Sequence, residues 1–329
     1  MKIIHIADTH LGFASFNGIY NETRKEDVKR AFSEAVGRAL LFKPELFVHA
    51  GDLFDSPYPS YDIILFTIRE LQRLLDAGVR VIVVSGTHDT PKRATESHVF
   101  SLLEHFFGDS PFIHFIYKDN QVIVHKSVDI LCIPYSRKPF TLTEQFGIVV
   151  YHGGVEGLRE YEGTERLLYD KAGNKCVLLG DYHKPLEIKK GWYYAGATER
   201  FTFNQEGTPC GFWQMHGLDK REYQVLGVRN MVSRAYDLAT TRVEAILSGL
   251  NPEELKRLYL KDWSASGGHD LRPLMEMPFT QIELVGGEGN NAVSEPVTSA
   301  SLLEDWENFC ETSNVKEGVR KKGREYLVA

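Results

Sequence analysis

No apolar run in the 329-residue chain approaches the ~20 residues needed to span a bilayer. The longest, such as Val81 to Val84, are strand-sized, so no membrane association is expected. The four cysteines, Cys132, Cys176, Cys210 and Cys310, are scattered without a CxxC spacing. That argues against a disulfide frame or a thiolate zinc site and fits a reducing compartment. No signal-peptide texture opens the chain, because MKIIHIADTH reads straight into a strand, and the cytoplasm is the expected location. Internal repeats and low-complexity segments are also missing. So is a basic surplus: a net charge of -7 argues against nucleic-acid binding through overall charge. It leaves room for a local basic strip, since metal-binding carboxylates belong to the negative count.

What is there is ordinary in bulk. The chain is 43% hydrophobic and 25% charged, as globular proteins are, and it is long enough to bury a core without staples. Strand-like runs rich in Ile and Val (Lys2 to Ala7, Glu45 to Ala50, Arg80 to Ser85) alternate with helical patterns over Arg24 to Phe42 and Tyr61 to Leu75. In the second of these, Ile63, Ile64, Ile68, Leu71, Leu74 and Leu75 fall along one stripe. From Gln121 the texture turns strand-rich: Val122 to Lys126, Asp129 to Tyr135, Gly147 to Tyr151, Cys176 to Gly180, Trp192 to Ala195 and Gly211 to His216. The pattern predicts an α/β fold in which two facing sheets form a sandwich flanked by helices. The texture changes again near Gly227. Residues 1–227 are expected to form the main domain and 228–329 a smaller α+β domain. Within the latter, helices are predicted over Thr241 to Leu247, Pro252 to Trp263, Ser301 to Cys310 and Val315 to Leu327, with a strand over Phe279 to Val285.

Chemistry is concentrated at strand ends. IIHIADTH, LFVHAGDLFD, VIVVSGTHD, VVYHGG and CVLLGDYHKP each run from a buried strand into Asp and His. Ligand groups in α/β sheets gather beyond the carboxyl ends of strands, so the five clusters can converge. Alternation along a strand would point Asp8 and His10 the same way. Gly51 permits close backbone approach just before Asp52. A carboxylate can bridge two cations, which a neutral imidazole cannot. Imidazoles mixed with carboxylates suit manganese, iron, zinc or nickel better than calcium. Two divalent ions are expected, with manganese first and magnesium a further alternative. Such a pair binds a phosphate and activates a water.

The ordered motifs DTH, GDLFD, GTHD, YHGG and GDYHKP resemble the D-x-H, G-D-x-x-D, G-N-H-D, H and G-H-x-H signature of calcineurin-like metallophosphoesterases. Within that superfamily, ADTHLGF followed by Arg24 to Phe32, GDLFDSPYPS, and AGATERFTFNQEG resemble the SbcD family, nuclease subunits of double-strand-break repair complexes. The resemblance covers roughly residues 1–226. It implies one ion held by Asp8, His10, Asp52 and His183, and a second that shares Asp52 and takes His152. Thr87 stands where the family has the Asn ligand, and Asp181 where it has the first His of G-H-x-H, so the second site is altered while the first is complete. His88 matches the family's catalytic histidine, and Asp55 is expected to orient it. Asp89 is expected to serve its loop as an acceptor. The resemblance further implies a DNA exo- or endonuclease and a homodimer through the helices near residues 61–77 and 94–107. It also implies a partner SbcC-type ATPase with long coiled coils, and a C-terminal cap.

Other residues carry plainer expectations. His5 and His49 lie inside strands and should pack or hydrogen-bond in the interior, and His98 and His105 are not expected to bind metal. Lys184, Lys189, Lys190, Arg200, Lys220 and Arg221 form either a phosphate-contacting strip or a solvated face, the second being the expectation. Two other functions share the same motifs: a small-molecule phosphodiesterase or phosphatase, and a scaffold that binds DNA or a partner without cutting. Thr87 and Asp181 keep the scaffold open.

Overall fold

The structure is a computed structural model that describes residues 1–14, 21–93, 95–158, 167–261 and 270–285. The helices expected over Ser301 to Cys310 and Val315 to Leu327 lie outside the described residues, as does Cys310. Contacts divide the chain into two compact units. The first holds Met1–Arg234, Leu250–Arg257 and Met275–Gln281, and the second Ala235–Gly249, Leu258–Leu274 and Ile282–Ala329.

The first unit opens with alternating elements: β1 (Lys2–Ile6), α1 (Asn21–Phe42), β2 (Leu46–Ala50), α2 (Tyr61–Asp76), β3 (Arg80–Val84), α3 (Val99–Phe107) and β4 (Ile113–Ile116). Strands then dominate: β5 (Gln121–His125), β6 (Val128–Ile133), β7 (Phe140–Leu142), β8 (Ile148–His152), β9 (Gly154–Val155) and β10 (Leu167–Asp170). After these come β11 (Val177–Gly180), β12 (Leu186–Lys189), β13 (Trp192–Tyr194), β14 (Gly211–His216) and β15 (Lys220–Val225).

Two six-stranded sheets result, in the orders β15-β14-β1-β2-β3-β4 and β12-β13-β11-β8-β6-β5. In each, four strands run parallel and antiparallel neighbours complete the sheet. The sandwich expected from the sequence is therefore present. Alternation explains it. Ile3, Leu46, Val48, Ile82 and Val84 face Ile130, Ile148, Val150 and Leu178 in an inter-sheet core. Their neighbours Ile4, Ile6, Phe47, Val81 and Val83 pack against Phe32, Leu71, Leu74 and Phe100 from the helices.

The covering of the second sheet differs from the expected flanking helices. Its outer residues, among them Val149, Tyr151, Val177 and Leu179, pack with Leu142, Val155 and Leu168, which belong to a three-stranded sheet β7-β10-β9. Those strands are two to four residues long, too short to register as periodic.

Further along lie β16 (Met231–Asp237), α4 (Val243–Ser248), β17 (Leu255–Lys261), α5 (Arg272–Met275) and β18 (Thr280–Val285), with β16, β17 and β18 forming a sheet. The helix predicted over Pro252 to Trp263 is thus a strand in its described part. Leu255 and Leu258 are spaced as on a helix, but Leu258 and Leu260 are buried while Tyr259 between them is half-buried, which is the alternation of a strand. Among the described residues, no helix is long and apolar enough to cross a membrane.

Candidate metal centre

Parallel β1, β2 and β3 from one sheet and β8 and β11 from the other end at the same edge of the sandwich, and the five Asp/His clusters meet there. The loops after β1 and β2 are bonded to each other. Asp8 N donates to Gly51 O at 3.0 Å, Thr9 N and His10 N to Asp52 O at 2.9 and 3.0 Å, and Leu11 N to Leu53 O at 2.9 Å. Asp8, His10, Asp52 and Asp181 all take left-handed backbone conformations, with φ of 50°, 48°, 54° and 99°. Alternation along a strand is therefore not what aims Asp8 and His10, since β1 has ended at Ile6 and both residues are turned individually. Such conformations cost on the order of 1–3 kcal/mol each and persist where surrounding bonds over-determine them. Two glycines allow the close packing: a Cβ on Gly51 would strike the His152 ring, and one on Gly86 would strike Asp52.

Asp89 behaves as expected, its buried carboxylate accepting from Leu53 N (3.2 Å), Phe54 N (2.8 Å) and Gly86 N (2.8 Å). It ties the loops after β2 and β3. His88 N donates to Asp52 Oδ1 at 2.7 Å, leaving Asp52 Oδ2 3.3 Å from His152 Nε2 and 3.7 Å from His10 Nε2. Asp8 reaches across to the second sheet, where both of its oxygens accept from Asp181 N at 2.9 and 3.2 Å. Asp181 Oδ1 lies 3.7 Å from His152 Nε2. His10 Nε2 and His183 Nε2 face each other at 3.2 Å. Thr87 lies half-buried between Gly86 and His88.

Among the described residues, three donor groups could hold a cation, their atoms lying within 4.8 Å of one another: Asp8, His10 and His183; Asp8, Asp52 and His152; and His10, Asp55 and His88. The donors fit metal ions on two further counts. His10 Nδ1 and His152 Nε2 are buried yet make no hydrogen bond. The second is a ready ligand atom, because His152 Nδ1 is occupied by Ala50 O at 2.8 Å. Charge points the same way. Burial alone would depress His152, but the carboxylates of Asp52, Asp181 and Asp8 outweigh it and raise the imidazole to about 10. Burial pushes the Asp8 carboxyl well above the usual range, against the pull of His152 and with the push of Asp52 and Asp181. Asp52 is held low despite burial by His152 and His10. Three crowded carboxylates around one imidazole are a surplus of negative charge, which a divalent cation neutralises.

His88 stands at the mouth, with its side chain 48% exposed. Asp55 orients it differently from expectation: the main-chain carbonyl of Asp55 lies 3.0 Å from His88 Nδ1, whereas the carboxylate is 3.9 Å away. That carboxylate instead sits 3.2 Å from His10 Nδ1. Three contacts carry no signal that picks them out in the sequence. Thr9 Oγ1 and His49 Nε2 bond at 2.8 Å, bracing the loop between Asp8 and His10. The Phe201 ring packs on His10 and His183, at 4.7 and 5.4 Å between centroids. Gln205 Nε2 lies 2.6 Å from His183 Nδ1; the Thr202-x-x-Gln205 spacing of a capping box is legible, but its histidine partner is not. His5 bonds to Leu179 O at 3.1 Å inside the sandwich, and His98 caps α3.

A model of the calcineurin-like phosphoesterase family matches residues 1–249. The chain belongs to that family. Phosphoester hydrolysis, the family's chemistry, is the class of reaction that paired carboxylate and imidazole sites serve. The chain is also similar to proteins named DNA double-strand break repair protein Mre11. It is 37% identical over 232 residues to that of Aeropyrum pernix, covering 63% of this chain and 56% of the relative. To that of Sulfurisphaera tokodaii it is 31% identical over 197 residues, covering 55% and 49%. To that of Sulfolobus acidocaldarius it is 38% identical over 106 residues, covering 32% and 27%. The calcineurin-like family, and a likeness to proteins of double-strand-break repair, both stand as the motifs implied. The chain spans about half the length, or less, of these curated relatives.

Proposed function

We propose that this phosphoesterase is a metal-dependent nuclease that cleaves DNA phosphodiesters in double-strand-break repair. The convergence of Asp8, His10, Asp52, His152 and His183 beneath an exposed His88 carries the reading, and the likeness to Mre11 proteins supplies the substrate class. Asp8, His10, Asp52 and His183 would hold one divalent ion. Asp52 and His152 would hold the second, with Thr87 and Asp181 completing it. Manganese is the proposed metal, with iron, zinc, nickel or magnesium as alternatives; bound there, the ions would neutralise the phosphate and activate a water. His88, oriented by Asp55, is the proposed catalytic group. Its exposed imidazole can meet the scissile phosphate and stabilise its charge or protonate the leaving oxygen.

The wider assignments rest on the same likeness: cytoplasmic location, a coiled-coil ATPase of the SbcC type as partner, residues 228–329 as a cap-like domain, and a homodimer. The exposed apolar side chains Tyr61 and Leu65 on α2 and Leu102 and Phe106 on α3 support the dimer, since apolar patches on a surface mark contact sites. Part of the candidate basic strip is engaged within the chain. Lys189 stacks on Trp192 and Arg221 on Tyr193, and Arg200 is bonded to the carbonyls of Thr208 and Arg229. Titration of Mn2+ into assays on labelled single- and double-stranded DNA, beside a generic phosphodiester, tests the proposal. Metal-dependent cleavage of DNA is expected. Cleavage of the generic ester alone would assign a small-molecule phosphodiesterase instead.

A further inference from the structure

Gln205 is bonded so that its two ends can be told apart. Its carboxamide oxygen accepts from Phe201 N at 2.6 Å and Thr202 N at 3.0 Å. The nitrogen end therefore faces His183 Nδ1, 2.6 Å away. An amide nitrogen only donates, so His183 Nδ1 must accept and the ring proton sits on Nε2. That nitrogen faces His10 Nε2 at 3.2 Å. His10 Nε2 then accepts in turn. Donors thus run in one direction, from Gln205 through His183 to His10. The two imidazole nitrogens that face each other share a single proton.

A cation between His10 and His183 needs both of those lone pairs. His183 would have to carry its proton on Nδ1 instead, pointing it at the amide NH2 of Gln205. Turning the amide over offers no escape, because the NH2 would then face the N–H groups of Phe201 and Thr202. Either arrangement sets donor against donor at the half-buried His183. A buried donor left without an acceptor costs ~1–3 kcal/mol. A carboxylate at the same position would accept from both backbone N–H groups and from His183 Nδ1–H at once, which is the arrangement that ordinarily strengthens a histidine ligand.

We infer that Gln205 is a positioning residue that sets His183 in the tautomer of the metal-free site and so weakens cation binding at His10 and His183. The inference rests on the proposed assignment of these two histidines as ligands of one ion. It places a brake on the site whose ligand set is complete by sequence.

Two measurements test it. In metal-stripped wild type labelled with 15N-histidine, the His183 signals, assigned by their loss in His183→Asn, are expected to show Nε2 protonated and Nδ1 bare. By calorimetry, Gln205→Glu is expected to bind Mn2+ about 10- to 100-fold more tightly than wild type, the size usual for partners of metal-bound histidines, with an unchanged thermal midpoint in the absence of metal. Protonated Nδ1 in the stripped wild type, or a Gln205→Glu affinity no better than wild type, overturns the assignment. If neither protein takes up Mn2+, the metal-centre reading itself falls. That failure is distinguishable because the tautomer of His183 is read without metal.

Discussion

Asp52 sits where three loops meet. One of its oxygens is fixed by His88 N at 2.7 Å, and the other lies between His152 and His10. A carboxylate so placed can touch two cations, and its removal should disturb both. Asp52→Ala is therefore expected to lose bound metal and activity together, with elemental analysis of the purified variant as the check; unchanged metal content would refute a bridging role. His88 stands outside this buried set at the mouth of the site. His88→Ala should keep its metals while turnover falls on the order of 10²-fold or more, the usual scale for a lost general acid. Wild-type turnover in that variant would remove His88 from the chemistry. The two outcomes are complementary, because one residue is assigned to holding ions and the other to working beside them.

At the scale of elements, the segments beside the ligand loops are anchored by a buried ion cluster. Arg24, which is 1% exposed, bonds Asp27 within α1 at 3.0 Å and ties the helix to the carbonyl of Arg200 at 2.6 Å. Arg229 grips both oxygens of Asp27 at 2.8 and 3.0 Å. The cluster thereby pins the segment that carries Phe201 and Gln205 against α1. Burial alone would raise the Asp27 carboxyl, but the hydrogen bonds and charges of Arg229 and Arg24 hold it below the usual carboxylate range. Breaking a buried pair from one side strands the other charges. Asp27→Ala is expected to cost about 3–5 kcal/mol of stability, read from denaturant midpoints. A lowered folded pKa gives a contribution that is complete above the unfolded value of about 3.9. It is lost as pH falls through the folded value, so the difference between wild type and variant should shrink in strong acid. A constant difference down to pH 2 would show that the carboxylate charge is not what stabilises. The three cysteines among the described residues are all buried and form no disulfide, and burial lifts the Cys132 thiol to about 12 and Cys176 to about 11.

At the scale of the whole molecule, the exposed apolar residues of α2 and α3 bear on the proposed assembly. Leu65 is 56% exposed and Phe106 likewise 56%, although each belongs to a helix whose other face is buried in the core. If they form the proposed dimer contact, Leu65→Glu with Phe106→Glu should give a monomer by light scattering, with metal content unchanged, because neither residue belongs to the ligand set. A dimer that survives both charges would move the contact elsewhere.

The five motifs, their order and the apolar strands that lead into them were legible in the sequence, because each is local. An apolar run followed by Asp or His declares itself within ten residues, and the period of Ile3 to Ile6 or Val81 to Val84 is set by the pleat alone. Which atoms face each other was decided only in the folded state. The left-handed turns at Asp8, His10, Asp52 and Asp181 depend on bonds between loops that are distant in the chain. The part of Asp55 that meets His88 depends on how the loop after β2 is held by Asp89. The strand at Leu255–Lys261 overrode helix-like spacing because its partners lay elsewhere in the chain. Gln205 reaches His183 across 22 residues, and a donor's effect on a tautomer exists only once the two groups are in contact. Sequence thus fixes which groups are available and roughly where. Tertiary structure fixes their protons, their bonds and the directions in which they point.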